Sequence, residues 1–152
     1  MTFEIIEYEN RYQPSFKALN VEWLEQYNLL ESHDLEILND PEKLILENGG
    51  AIYLVRAGDE IIGSAALMKE HEGVFELVKM AVAKSYQKMG ISKILLEKCI
   101  VKARELRGER IVLFSNHQLK AALALYEKFG FISIPVENSP FATADIKMEL
   151  IL

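Results

Sequence analysis

The sequence predicts a single α+β domain with seven strands and four helices. Three observations carry this. The chain has 152 residues, enough for one core, and half of them are hydrophobic and 26% charged. Gly58-Asp59 separates two apolar runs as a hairpin turn does. From Gly90 onward a long stretch repeats apolar residues at helical spacing.

In order, Phe3 to Tyr8 alternates as a strand. Phe16, Leu19, Trp23 and Tyr27 recur at spacings of three and four, predicting a helix from Pro14 to Tyr27. Glu31 to Asp34 is polar and reads as a loop. Asp40-Pro41 offers an N-cap and a first-turn proline, opening a helix that Asn48-Gly49-Gly50 ends. Strands follow at Ala51–Ala57, Glu60–Met68 and Val74–Val82. The longest helix runs from Gly90 to Leu106, with Ile91, Ile94, Leu95, Cys99, Ala103 and Leu106 on its apolar face. A strand at Arg110–Ser115, a helix from Leu119 to Phe129 closed by Gly130, and strands at Phe131–Ile134 and Asp145–Leu150 complete the chain. No linker, repeat or low-complexity segment divides it, so residues 1–152 read as one domain.

Composition excludes several functions. One cysteine, Cys99, allows no internal disulfide and no cysteine-built metal site. His33, His71 and His117 lack ligand spacing, so no metal is expected. Net charge is −6 and no basic stripe exists, which disfavours nucleic acid. No apolar run approaches the roughly 20 residues of a spanning helix, and Met1-Thr2-Phe3-Glu4 does not open an export signal. The expected location is the cytoplasm, with no membrane partner.

The informative junction lies between Val82 and the long helix. Helix starts favour acids, because the peptide dipoles leave partial positive charge there. This start has none before Glu97, and Lys88 and Lys93 flank it. Gly90 permits close backbone approach and Ser92 is small. Free amides with two lysines make an anion site suited to a diphosphate. For Gly-x-Ser alone, a strand-to-helix turn with solvated lysines is the better explanation. Neither a P-loop nor a dinucleotide fingerprint is present.

Glu76-Leu77-Val78-Lys79-Met80-Ala81-Val82, then Gln87-Lys88-Met89-Gly90-Ile91-Ser92 and an amphipathic helix, resembles the central motif of the GNAT family of N-acetyltransferases. Asn116, Ala122, Leu125-Tyr126-Glu127-Lys128 and Phe129-Gly130-Phe131 are similar to the family's second motif. The match covers Val74 to Phe131. Ser92 departs from the usual Gly or Ala, a small change. The resemblance implies a central mixed, mostly antiparallel sheet whose strands ending at Val82 and Ser115 splay apart, often beside a bulge, to hold an acyl-CoA arm.

It further implies that Gln87, Lys88, Met89, Gly90, Ile91, Ser92 and Lys93 hold the pyrophosphate of acetyl-CoA. Met80, Ala81 and Val82 would pair with the pantetheine arm as an added strand does, and Asn116 would contact the same arm. An alkyl ammonium titrates near ~10, so a base must take its proton. Glu76 is the candidate: strand parity groups it with Val74, Val78, Met80 and Val82, where burial raises a carboxyl pKa. A structural carboxylate paired to a lysine is the competing reading. Tyr126 is the candidate acid, against a packed core tyrosine. Direct attack needs no cysteine, and Cys99 reads as core.

The expected function is acetyl transfer from acetyl-CoA to a primary amine of a small cationic molecule or a protein. The alternative is a non-catalytic acyl-CoA sensor or interaction module. Trp23 and Tyr27 read as packing on the first helix, a segment that borders the acceptor site in the family it resembles, and Phe141 is a candidate wall of the pocket. Exposed final strands make a homodimer plausible. The acids Glu22, Glu25, Glu31, Asp34 and Glu36 read as a solvated face that would favour a cationic acceptor.

Overall fold

The computed structural model describes residues 2–152. Its seven strands are β1 (Glu4–Glu7), β2 (Ala51–Ala57), β3 (Glu60–His71), β4 (Val74–Val82), β5 (Arg110–Ser115), β6 (Ile132–Ile134) and β7 (Ile146–Ile151). They form one sheet in the order β1-β2-β3-β4-β5-β7-β6. Every neighbouring pair is antiparallel except β4 and β5. The four α-helices are α1 (Gln13–Gln26), α2 (Ser32–Asn39), α3 (Ile91–Glu105) and α4 (Lys120–Lys128).

The alternation of β-strands sends apolar side chains to both faces, and each face needs a cover. On one, Ile62, Leu67, Phe75, Leu77 and Val82 pack with Leu95, Leu96 and Cys99 of α3 and Tyr126 of α4. On the other, Leu54, Ala66, Val78 and Ala81 pack with Phe16 and Leu19 of α1 and Ile37 and Leu38 of α2. The buried face of α3 is Ile91, Leu95, Leu96, Cys99, Ile100 and Ala103. Ile94 and Leu106, expected on it, are 42% and 38% exposed. The helix is rotated slightly so that Leu96 and Ile100 turn inward instead.

Two expectations fail between residues 31 and 50. Glu31 to Asp34 is no loop: it opens α2 with a capping box, in which the Glu31 amide donates to Asp34 Oδ2 at 2.8 Å and the Asp34 amide approaches the Glu31 side chain. The segment after Pro41 forms only a π-helical turn, Glu42–Leu46. It ends where Gly50 presses against β3, since a Cβ there would lie 2.0 Å from the Leu67 carbonyl oxygen.

The alternation of β4 also breaks partway along the strand. Opposite Ala65, β4 carries an extra residue: Val78 pairs with Ala66 and Ala81 with Ser64. Lys79 takes φ +54 inside this bulge. Val78 and Ala81 therefore share a face while Val82 moves to the other. Parity groups Glu76 with Val74 and Val78, but not with Met80 or Val82.

Candidate active site

β4 and β5 pair only over Val74–Glu76 against Arg110–Val112. Beyond Glu76 the two parallel strands carry no further pairing, so they fork. Glu76 sits at the apex. A cavity of about 520 Å3 opens in the fork, lined by Glu76 to Val82 of β4, Leu113 to Ser115 of β5, the start of α3 and Tyr126. The β5-facing side of β4 presents unpaired backbone groups, the arrangement that accepts an extended ligand as an extra strand.

The bulge is held from behind. The Ser64 hydroxyl donates to the Lys79 carbonyl at 2.7 Å, and Asn20 Nδ2 donates to Ser64 Oγ at 3.0 Å. Both side chains are buried. Lys79 Nζ pairs with Asp34 Oδ1, both side chains 4% exposed, and lies 5.2 Å from the centre of the Phe141 ring. A buried ion pair gains little net stability, but losing either partner strands a charge. The left-handed Lys79 backbone is thus fixed at its carbonyl and at its ammonium.

At its wide end the fork meets the start of α3. Gly90 caps α3 at φ +80, with no side-chain cap and no acid in the first turn. Lys88 also lies in the left-handed region at φ +65. Left-handed residues interspersed in such a turn let successive amides converge, and the first amides of a helix lack internal partners. A Cβ on Gly90 would meet no atom within 4 Å, so its exposed side is free for a ligand. The residues fit a CoA pyrophosphate.

Of the residues singled out by sequence, Glu76, Met80, Ala81, Val82, Gln87, Lys88, Gly90, Ile91, Ser92, Lys93, Asn116 and Tyr126 all line this cavity. Met89 does not, and is 52% exposed. Gln87 Nε2 donates to the Val82 carbonyl at 3.2 Å, tying the loop to the strand end. Asn116 is committed to its own loop: Nδ2 donates to the Thr143 carbonyl at 2.8 Å and Oδ1 accepts from the Gln118 amide at 3.0 Å. The Tyr126 hydroxyl is directed at Met80 Sδ, 3.8 Å away. Burial keeps that hydroxyl above its ordinary pKa, with Cys99 adding to the shift, so it stays protonated.

Glu76 is 5% exposed. Burial pushes its carboxyl up to about 9, with Glu70 adding through a hydrogen bond and its charge, while Lys79 and Lys147 pull the other way. A carboxyl of this kind is neutral when the cleft is empty. A cation arriving beside it favours the carboxylate.

Sequence reasoning missed Asp34, Lys79, Asn20 and Ser64 as parts of the site. The Glu31-x-x-Asp34 spacing before Ile37 and Leu38 was the available sign of a helix start. Glu31 also holds the loop before β7, accepting from the Ala142 and Thr143 amides at 2.9 Å each and from Thr143 Oγ1 at 2.5 Å. This latch sits beside Phe141, which lines the cleft together with Trp23 and Tyr27. Trp23 and Tyr27 stand 4.7 Å apart between ring centres. No group of residues able to hold a metal occurs among the described residues, and no helix there is long and apolar enough to cross a membrane.

Comparison with known proteins agrees with the geometry. The family model described as acetyltransferase (GNAT) family matches residues 8–131. A Bacillus subtilis (strain 168) protein described as the uncharacterized N-acetyltransferase YvbK is 35% identical over 120 residues, 77% of each chain. The crystal structure of a GNAT-family acetyltransferase from Staphylococcus aureus Mu50 superposes with a TM-score of 0.89 at 24% identity, over 97% of this chain and 98% of that one. The PaiA N-acetyltransferase of Thermoplasma acidophilum, solved in complex with coenzyme A, superposes at 0.77 with 16% identity over the full length of both. The chain belongs to the GNAT family of acetyltransferases and is an acyl-CoA-dependent acyltransferase.

Proposed function

We propose that the protein transfers an acetyl group from acetyl-CoA directly to a primary amine, on a small cationic molecule or on a protein. Amides of Gln87 to Lys93 hold the pyrophosphate, and the edge of Met80 to Val82 holds the pantetheine arm. Glu76 takes a proton from the ammonium, which frees the lone pair that attacks the thioester carbonyl. Tyr126 gives a proton to the leaving thiolate.

The observation that carries this reading is the position of Glu76 at the apex of the β4–β5 fork, the narrow end of the same cavity that the first turn of α3 and Tyr126 line. Its raised pKa suits the role, because binding a cation would trigger the ionisation that a base needs. The case for a cationic acceptor rests on fewer acids than the sequence offers. Glu31 and Asp34 are consumed by the latch and by the Lys79 pair. Glu22, Glu25 and Glu36 remain exposed. Trp23, Tyr27 and Phe141 add aromatic faces, which attract cations.

The test is release of free CoA in the presence of spermidine, an aminoglycoside, amino acids, benzylamine, an arylamine and peptides bearing lysine or a free N-terminus. A polycation should be turned over fastest, with rates falling as salt rises. A neutral arylamine as best substrate, insensitive to salt, would reject the cationic acceptor. No turnover on any amine would reject the transfer itself.

A further inference from the structure

The acyl-CoA cleft is not the only cavity that reaches Glu76. A second, of about 660 Å3, borders it at Glu76. Among the described residues, Glu76 and Phe114 alone line both, so these two form the partition between them. The second cavity is polar where the first is apolar. Its lining includes Glu70 and His71 of β3, His33 of α2, Arg110 of β5, Lys147 of β7, and Glu137 in the loop after β6.

Glu70 is brought there by an irregularity in β3. Lys69 pairs with Phe75 and His71 with Val74, which leaves Glu70 without a partner on β4. Met68 stands directly opposite Glu76, and the Glu70 side chain, two residues further along β3, reaches Glu76. Glu70 is itself exposed, whereas Glu76 is buried. The sheet thus sets an exposed carboxyl beside a buried one at a break between two cavities.

We propose that Glu70 carries the reaction's proton from Glu76 into this second cavity, so that substrates and proton use opposite sides of one carboxyl. The proposal rests on Glu76 being the base, as proposed above. An ammonium loses two protons as its nitrogen forms the C–N bond and the thioester C–S bond breaks. One ends on the departing thiol, and the other must reach solvent in every turnover. With the acyl donor and the acceptor both in the cleft, that side of Glu76 is plugged. The second cavity remains open. Glu76 passes its proton to the Glu70 carboxylate, and Glu70 releases it to water.

The charged groups facing Glu76 are Glu70 from β3, Lys79 from the β4 bulge and Lys147 from β7. His33, Lys69, His71, Arg110 and Glu137 also line the second cavity. The two lysines favour the ionised Glu76 that must form, and Glu70 opposes it until it has a proton of its own.

The test variant is Glu70→Gln, at an exposed position that folding tolerates. Two measurements decide. Carboxyl-carbon NMR on the protein without substrates should find Glu76 titrating at least one pH unit lower in Glu70→Gln than in the parent, because the neighbouring charge is gone. With the fastest amine of the panel, kcat should fall at least fivefold in dilute buffer while KM for acetyl-CoA holds. Adding N-methylmorpholine, a tertiary amine that cannot be acetylated, should restore the rate in the variant and leave the parent unchanged. Glu76 titrating identically in both proteins overturns the proposal, as does an unchanged kcat or a loss that the added base does not restore. Glu76→Gln separates this from the parent reading. Slow Glu76→Gln with fast Glu70→Gln removes only the relay, whereas wild-type rates in Glu76→Gln remove the base as well.

Discussion

Gly90→Ala isolates the anion site from the fold. Gly90 has φ +80 and its missing Cβ faces open space, with no atom within 4 Å. The same is true of Gly58, at φ +60 in the β2–β3 hairpin away from the cleft. An alanine at either position carries the same left-handed strain, ~1–2 kcal/mol, and no internal clash. Stability should therefore fall by similar amounts. Binding should not. At Gly90 the methyl occupies the ground where backbone amides meet the pyrophosphate, and each charge-assisted hydrogen bond lost is worth ~1.5–3 kcal/mol. One such loss weakens acetyl-CoA at least about tenfold, ~1.4 kcal/mol. Calorimetry with acetyl-CoA on both variants, beside their thermal melts, measures the two effects apart. Equal affinities in Gly90→Ala and Gly58→Ala would refute the placement of the pyrophosphate.

Three further outcomes are expected. Tyr126→Phe keeps the buried ring and should lower kcat by roughly 10²-fold with little change in acetyl-CoA affinity; wild-type turnover would leave Tyr126 a packing residue. Asp34→Ala strands the Lys79 ammonium and should cost about 3–5 kcal/mol in urea unfolding, largely recovered by Lys79→Met in the same chain; a cost within about 0.5 kcal/mol would contradict the buried pair. Glu76 holds its proton up to about pH 9 when folded, against 4.5 ordinarily, so between these values the folded state binds more protons than the unfolded one and stability falls as pH rises. Denaturant unfolding from pH 5 to 9 should show this slope, at most about 1.4 kcal/mol per pH unit from this group, and Glu76→Gln should flatten it. An unaltered slope would place Glu76 in contact with solvent.

The elements legible in the sequence are those set by local chemistry. Gly58-Asp59 makes its turn, α3 follows from its apolar spacing, and Gly90 announces an uncapped helix start. What stayed hidden depends on distant partners. Asp34 looks like surface in a polar run, yet it meets Lys79, 45 residues away. Glu31 reads as another surface acid and holds Thr143, 112 residues on. The bulge at Lys79 is fixed by Ser64 and Asn20, so no pattern within β4 reveals it, and a strict period of two misassigns Met80 and Val82. The apical position of Glu76 likewise follows from where pairing with β5 stops, which neither strand's sequence records.

The most direct measurement is a structure of the protein with a non-hydrolysable acetyl-CoA analogue. The account predicts the pyrophosphate on the amides of Gln87 to Lys93 and the pantetheine arm along Met80 to Val82. The acyl carbonyl should point to the fork apex, with Glu76 on the acceptor side of the acyl carbon and Tyr126 beside the sulfur. An acyl group directed away from Glu76, or an arm bound outside the β4–β5 fork, would contradict it.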